Sequence, residues 1–419
     1  MPPGTESSLE QEAESSVSTA PNAAGSRAPL VSIRGAIVHS LISWPQGKSE
    51  DTLILNPFFN TSVAYSIYCI HGTGDRSYAF GKIIDRLLET GNTSNNLLPR
   101  SISKIYLLAF EGRYQGSSID YFAEQLRYKI IKNKDRHVIL FGHSRGGLVA
   151  AKFAQDMAKD IGVTVHAVLA FCSPFHGSPL AIAPLAAVSS SVAQMRPDSE
   201  FLSKLRASII SSDEESQKYY YFGVENDSIV PTEDSFIKEN ARSIILLPDH
   251  GHLSILTSRM LVEYVSDCLQ QITSRPLNDT ALEQPIRVAG IELDAEIFAL
   301  KNRYHWYSSE GKVKILRDLQ CYLSEMSEGN RGNQFPEART LGEFIQLYLS
   351  TTDPTTGLSL RDILTQQLNP NFSFFCTTPS KSLEFMENLI SSYGAVPLPE
   401  RDGSNPQLNS YIQPLYDPE

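Results

Sequence analysis

Five residues of this chain could together carry out acyl transfer: Thr73, Ser144, Arg145, Asp227 and His252. The centre is Gly142-His-Ser-Arg-Gly-Gly147. A serine hydroxyl attacks a carbonyl only if a tight turn lifts it out of its surroundings. Where that turn joins a strand to a helix, the two elements approach closely, and the residues two before and two after the serine must be small. Gly142 and Gly146 meet this demand. With 25 glycines in the chain, a bare G-x-S-x-G could arise by chance. The apolar run before the motif and the small residues after it (Gly147, Ala150, Ala151) argue against chance.

Such a nucleophile needs a general base late in the chain, after a final strand. Nine histidines compete for the role. His250-Gly-His252 follows the apolar run Ile244-Ile-Leu-Leu247, and His252 directly precedes Leu253-Ser-Ile255, where a helix begins. That position favours His252 as the base, with His250 as its rival. His143, beside the serine, is expected to point away from the reacting face. His39, His137, His166 and His305 have no motif context and read as structural.

A base of this kind needs an acid to fix its tautomer and stabilise the imidazolium. The chain order Ser, acid, His places that acid between 144 and 252. Asp227, in Gly223-Val-Glu-Asn-Asp-Ser-Ile-Val-Pro231, follows an apolar run directly and is favoured, with Glu225 and Asp234 as alternatives. Two backbone N–H groups must face the oxyanion. One is expected from Arg145, the other from Thr73 in the glycine-rich turn His71-Gly-Thr-Gly-Asp75. No metal or organic cofactor is called for, and no metal-ligand spacing is present.

These residues sit at the ends of strand-like runs: Tyr65–Ile70, Ile105–Phe110, His137–Phe141, Val165–Phe171, Tyr219–Phe222 and Ile244–Leu247. Continuous apolar runs suit a sheet covered on both faces. Helical patterns lie between them, one around Leu126 and one through Leu148, Val149, Phe153 and Met157. A third steps through Leu253, Leu256, Met260, Tyr264, Cys268 and Ile272. Alternating strands and helices predict an α/β fold with a mostly parallel, doubly wound sheet over 30–275. After about Arg275 the pattern becomes helical, with stripes at Val313–Met326 and Leu341–Tyr348. A capping box at Ser359–Asp362 and a helix opening at Pro379 follow. Residues 276–395 are therefore expected to form a smaller, mainly helical region. Residues 1–29 and 396–419 lack periodicity and read as loose tails.

The 419 residues carry 41% hydrophobic residues and a net charge of −11, enough apolar material for a large core and the wrong sign for nucleic acid. The charge also gives no reason to expect electrostatic capture by an anionic membrane. The five cysteines form no ligand or redox pattern and are expected as buried small hydrophobes rather than disulfides. Without an apolar leader or an 18-residue apolar run, the chain reads as cytoplasmic, lacking a Sec signal or transmembrane helix.

The motifs His71-Gly-Thr-Gly74, Gly142–Gly147, Ser173-Pro-Phe-His-Gly-Ser-Pro-Leu180, Asp227 with Val230-Pro231, and Gly251-His-Leu-Ser254 resemble the lipase and esterase branch of the α/β hydrolases, including its inositol-deacylase-like members. The resemblance spans about Ser66–Ile272. It implies an α/β-hydrolase fold and a lipid or other acyl-ester substrate, which carries with it the expectation of a peripheral membrane contact. The insertion 181–215 reads either as the lid that the resemblance implies or as an ordinary packed helix pair. Phe175 departs from the pattern, where a second histidine often stands, and is expected to alter only lid or pocket shape. The layout of the flanks resembles lipase-like effectors that intracellular bacteria translocate into host cells through type IV secretion. The rival readings are a thioesterase, amidase or protein deacylase on the same triad, and a non-catalytic binding protein acting through its C-terminal helices. The sequence names no partner for residues 276–419.

Overall fold

The apolar runs become the strands of a seven-stranded sheet in order β1-β3-β2-β4-β5-β6-β7. The strands are β1 (Thr52–Leu55), β2 (Tyr65–Ile70), β3 (Ile102–Leu107), β4 (His137–His143), β5 (Thr164–Phe171), β6 (Tyr219–Val224) and β7 (Ala241–Leu247). Every neighbouring pair is parallel except β1 with β3. The computed structural model describes residues 50–73, 75–89, 97–111, 116–181, 186–187, 189–212, 218–275, 285–302, 310–327, 335–365 and 380–398. The expected tail 1–29, most of the expected tail 396–419 and parts of the expected lid lie outside them; residues 396–398 of the second tail are described, with Pro397 bridged to Thr340 and Leu398 buried.

The central strands are buried on both faces, as β2 and β6 show along their whole length. They therefore lack the alternation of a half-exposed sheet. Tyr65, Tyr68, Tyr219, Tyr220 and Tyr221 supply much of the bulk. The Tyr219 hydroxyl is satisfied by a 2.7 Å hydrogen bond from Gln155 Nε2. The edge strands do alternate: in β7, Ile244 and Leu246 are exposed, and in β1, Leu53 and Leu55.

Three expectations are corrected here. The third strand begins at Ile102 rather than Ile105 and ends at Leu107. Beyond that point the pairing with β1 runs out, because Thr52 is already opposite Leu107. The Asp51 carboxylate then takes the Ala109 N–H at 2.8 Å. The helix expected from Leu253 is broken. A 3-10 turn at Ser254–Thr257 precedes α6 (Arg259–Thr273), whose N-cap Ser258 accepts from the Leu261 amide. The buried face consequently runs through Leu261, Val265, Cys268 and Ile272, while Met260 and Tyr264 are exposed. Strand β1 itself was not expected, because four alternating residues give little signal.

The remaining helices before Arg275 are α1 (Gly81–Leu88), α2 (Ile119–Asn133), α3 (Arg145–Asp156), α4 (Ser190–Gln194) and α5 (Glu200–Ile210). A mostly parallel sheet with helices between its strands, and a sharp strand-to-helix turn after the central strand, is the α/β-hydrolase fold.

The described residues divide into two compact units. One comprises residues up to Ala123, His137–Asp156 and Thr164–Arg275; the other comprises Glu124–Arg136, Met157–Val163 and the chain from Pro276 onward. The second unit is helical: α7 (Pro285–Asn302), α8 (Glu310–Ser327), α9 (Leu341–Ser350), α10 (Leu360–Thr365) and α11 (Lys381–Tyr393). Leu293, Leu316, Leu319, Ile345, Leu364 and Met386 form its centre. Thr340 and Glu343 make a full capping box on α9. At α10, the Asp362 amide donates to Ser359 Oγ, which donates in turn to the Asp362 carboxylate. Pro379 lies outside the described residues, and α11 opens after Ser380. Helix α7 was not expected, although Ile286, Ala289, Leu293, Ile297 and Leu300 form a buried stripe at helical spacing. Lys312, a buried cation of this core, donates to the Leu364 carbonyl and to Ser380 Oγ.

Cys69, Cys172 and Cys268 are buried free thiols, whereas Cys321 is exposed, contrary to the expectation of burial. No described helix is long and apolar enough to cross a membrane.

Candidate active site

Ser144 is the single residue between β4 and α3, and its backbone is left-handed, with φ +54°. That conformation is unfavourable for a residue with a Cβ and is retained where the surroundings impose it. The Ser144 amide donates to the Phe171 carbonyl of β5 at 2.8 Å, and the Gly147 amide donates to the Ser144 carbonyl at 3.1 Å. The two flanking glycines are required by contact. A Cβ on Gly142 would lie 2.4 Å from the Gly147 Cα, and one on Gly146 would lie 2.0 Å from the Ile70 carbonyl oxygen.

The turn after β2 passes directly against this elbow: a Cβ on Gly72 would stand 2.9 Å from the Ser144 Cβ. The same turn carries Thr73, which is exposed. Arg145 opens α3, so the amides of Thr73 and Arg145 belong to the two segments that flank the serine. The Arg145 side chain is buried, with its guanidinium 4.1 Å above the Phe122 ring.

The structure brings Asp227 and His252 together. Asp227 Oδ2 lies 2.8 Å from His252 Nδ1, and both side chains are almost fully enclosed. Asp227 Oδ1 accepts the amides of Ile229 at 2.8 Å and Val230 at 3.0 Å. Burial would raise the Asp227 carboxyl, but the hydrogen bond and charge of His252, with the two amides, outweigh it and hold the group below its ordinary value. The acid's loop is fastened from the segment after β5, where Ser178 Oγ donates to the Ile229 carbonyl at 2.6 Å. Phe175, in the same segment, is fully buried edge-on to Tyr221. It is a core residue, not a lid or pocket residue as expected from its motif position.

The alternatives lie elsewhere. Glu225 is exposed. Asp234 lies in a 3-10 turn, where burial above all raises its carboxyl. His250 is partly buried, and the imidazole bonded to Asp227 is that of His252.

Sequence reasoning missed three residues around this pair. His143 does not simply turn away: it is buried, its ring lies 5.0 Å from that of His252, and its Nε2 donates to the His252 carbonyl at 2.9 Å. Burial pushes its imidazole below the ordinary value against the pull of nearby Asp75. Asp75 Oδ2 lies 3.5 Å from His143 Nδ1, and Asp75 is itself buried. The third is Cys172, directly after β5. Its sulfur, an Asp227 oxygen and a His252 nitrogen all lie within 4.8 Å of one another. The only available signal was position, since all three are polar or thiol residues beside strand ends.

Among the described residues, these last three side chains are the group whose types could ligate a metal. Their chemistry disfavours it. Asp227 already accepts three hydrogen bonds, and the Cys172 thiol is driven toward its protonated form, first by burial and then by Asp227. A metal needs the thiolate.

A cavity of about 480 Å³ is lined by Asp120, Lys152, Asp156, Glu200, Lys204 and neighbours. It is charged and contains none of the residues just described, so it is not an acyl-chain pocket. The described part of 181–215 includes α4 and α5. Helix α4 reaches the elbow through Ser191 Oγ, 3.5 Å from an Arg145 guanidinium nitrogen.

No family model matches the sequence, and no curated protein matches it. Solved structures do. Lipase BlEst2 of Bacillus licheniformis in its mature form is 15% identical over 52% of this chain and 98% of its own, with a TM-score of 0.39. A monoacylglycerol lipase of Paleococcus ferrophilus is 16% identical over 54% of this chain and 99% of its own, with a TM-score of 0.38. The lin2722 gene product of Listeria innocua is 18% identical over 52% and 96%, with a TM-score of 0.37.

Proposed function

We propose that this chain of α/β-hydrolase fold is a serine hydrolase of carboxylic esters, with lipid acyl esters as its substrate class. The observation that carries the reading is the coincidence of a left-handed Ser144 on a glycine-flanked elbow with an enclosed Asp227–His252 pair at 2.8 Å. Asp227 occupies Nδ1 of the imidazole, which leaves Nε2 as the base. His252 takes the Ser144 proton as the hydroxyl attacks the ester carbonyl. The amides of Thr73 and Arg145 receive the oxyanion. Collapse of the tetrahedral intermediate releases the alcohol with the proton returned by His252, and leaves an acyl group on Ser144. Water, activated by the same imidazole, then releases the acid. Every step is carried by side chains and amides of the chain itself.

The preference for lipid esters rests on the resemblance of the five motifs to lipases and on the segment around α4. In this reading that segment is a lid over the nucleophile, and its opening accompanies contact with a lipid surface.

The test is labelling of the purified chain by a fluorophosphonate probe, beside Ser144→Ala and His252→Ala, followed by a panel of short- and long-chain esters, thioesters and acyl-lysine peptides. Labelling that is lost in both variants, with hydrolysis of long-chain esters, is the expected result. Selective turnover of thioesters or acyl-lysine would move the substrate to that acyl class. A wild type that stays unlabelled with detergent present would overturn the enzymatic reading and leave a binding protein.

A further inference from the structure

Strand β5 ends at Phe171, and the next residue, Cys172, is left-handed, with φ +46°. A cysteine has no intrinsic preference for that conformation. The neighbours impose it: the Cys172 amide donates to the Phe222 carbonyl of β6 at 2.7 Å. The side chain is completely buried. It lies beside the Asp227–His252 pair, with sulfur, carboxylate oxygen and imidazole nitrogen within 4.8 Å of one another. Asp227 accepts two amides on Oδ1 and His252 on Oδ2. A carboxylate can accept about four hydrogen bonds, and the thiol is the donor placed to supply the last.

We propose that Cys172 is a positioning residue for the triad, its thiol donating to the Asp227 carboxylate and so setting both the orientation of that carboxylate and the strength with which it holds the His252 imidazolium. The inference rests on the hydrolytic reading of Ser144, Asp227 and His252. Burial and the adjacent Asp227 charge both disfavour the thiolate, which keeps the sulfur a donor. Each donor on Asp227 disperses part of its charge. Removing one leaves more charge for His252 and makes the imidazolium harder to deprotonate.

The charged and titratable groups facing His252 are Asp227, Cys172 and His143, with Asp75 behind His143. All but Cys172 are untouched by substitution at that position. Cys172→Ala should raise the His252 titration midpoint by about 0.5 pH unit, less than the shift produced by a full opposite charge. Cys172→Ser, which keeps a donor, should bring the midpoint back toward wild type.

The experiment is a ¹³C-histidine NMR titration of the full chain in wild type, Cys172→Ala and Cys172→Ser, with His252→Gln assigning the resonance. A kcat/KM profile against pH is measured in parallel, and its acid limb should move with the resonance. An unmoved His252 midpoint in Cys172→Ala, or equal shifts in both variants, overturns the proposal; equal shifts would make Cys172 a packing residue. Absence of any ester hydrolysis or probe labelling overturns the hydrolytic reading instead, and the titration still decides the coupling. Should Cys172→Ala fail to fold, the infrared S–H band of the wild type decides. Identified by its loss in Cys172→Ser, it should lie at the frequency of a bonded thiol and move toward that of a free thiol in Asp227→Ala. A free-thiol band in the wild type overturns the proposal.

Discussion

The Nε2 of His143 lies 2.9 Å from the carbonyl oxygen of His252, so the residue next to the proposed nucleophile holds the backbone of the proposed base. Because a carbonyl only accepts, a proton is on Nε2, and Nδ1 faces Asp75. The elbow and the base loop are joined by this bond across 109 residues of sequence.

Removing the donor should therefore harm both fold and rate. His143→Ala leaves the His252 carbonyl buried and unpaired, at a cost of about 1–3 kcal/mol. It should lower kcat/KM by roughly tenfold or more, as misplacement of a base does. His143→Gln, which can still donate, should recover part of both losses. Urea unfolding and ester hydrolysis measured on the same preparations check this. Unchanged kcat/KM in His143→Ala would remove His143 from the support of the base.

Asp227 gives a prediction with a defined pH window. Its carboxyl is held below the ordinary value in the folded chain, with burial opposing and His252 and two amides prevailing. Such a group contributes stability above its unfolded value, and the contribution is lost as pH falls through the folded value. The stability gap between wild type and Asp227→Asn should be full at neutral pH and should close as pH drops below about 4. A series of urea melts from pH 7 to about pH 3 would show it. At neutral pH, Asp227→Asn should reduce kcat by about 10⁴-fold through loss of the correct imidazole tautomer.

The proposed trio could be read from sequence because each member follows an apolar run in a strand: Ser144 after His137–Phe141, Asp227 after Tyr219–Phe222 and His252 after Ile244–Leu247. Such runs mark where a buried strand emerges, and emergence is where chemistry can reach solvent. The supporting residues were illegible for the opposite reason. Cys172 reads as one more apolar residue ending β5, and His143 as a bystander in its motif. Their roles depend on a close approach between loops distant in sequence. The four-residue β1 was too weakly patterned to register, the stripe of α7 (Ile286, Ala289, Leu293, Ile297 and Leu300) was legible but passed over, and the break at Ser258 depends on a cap rather than on periodicity.

The elbow glycines should tolerate no side chain. A Cβ on Gly146 would meet the Ile70 carbonyl at 2.0 Å, a contact with backbone that no rotamer relieves. Gly146→Ala should cost about 1–3 kcal/mol or more, as overpacking of a close interface does. Thermal unfolding should show a fall in Tm of several degrees, about 2–4 °C for each kcal/mol in a domain of this size. Gly290→Ala, at a half-buried position of α7 where a Cβ meets nothing within 4 Å, is the control and should leave Tm unchanged or slightly raised.

Helix α4 is clasped to the start of α2 by one side chain. Gln194 Oε1 accepts the Ile119 amide at 2.6 Å, and Gln194 Nε2 donates to Asp120 Oδ2 at 2.6 Å. If α4 belongs to a lid over Ser144, this clasp stabilises the closed form by two hydrogen bonds, together about 1–3 kcal/mol. Gln194→Ala should then shift the chain toward the open form and raise kcat/KM for long-chain esters below their critical micelle concentration by about fivefold or more. A short soluble ester should gain less, because it needs a smaller opening. The ratio of long- to short-chain kcat/KM in Gln194→Ala against wild type is the quantity to measure. A fall in both activities together would mean that α4 is a fixed wall of the site, and the lid would have to be sought in another segment.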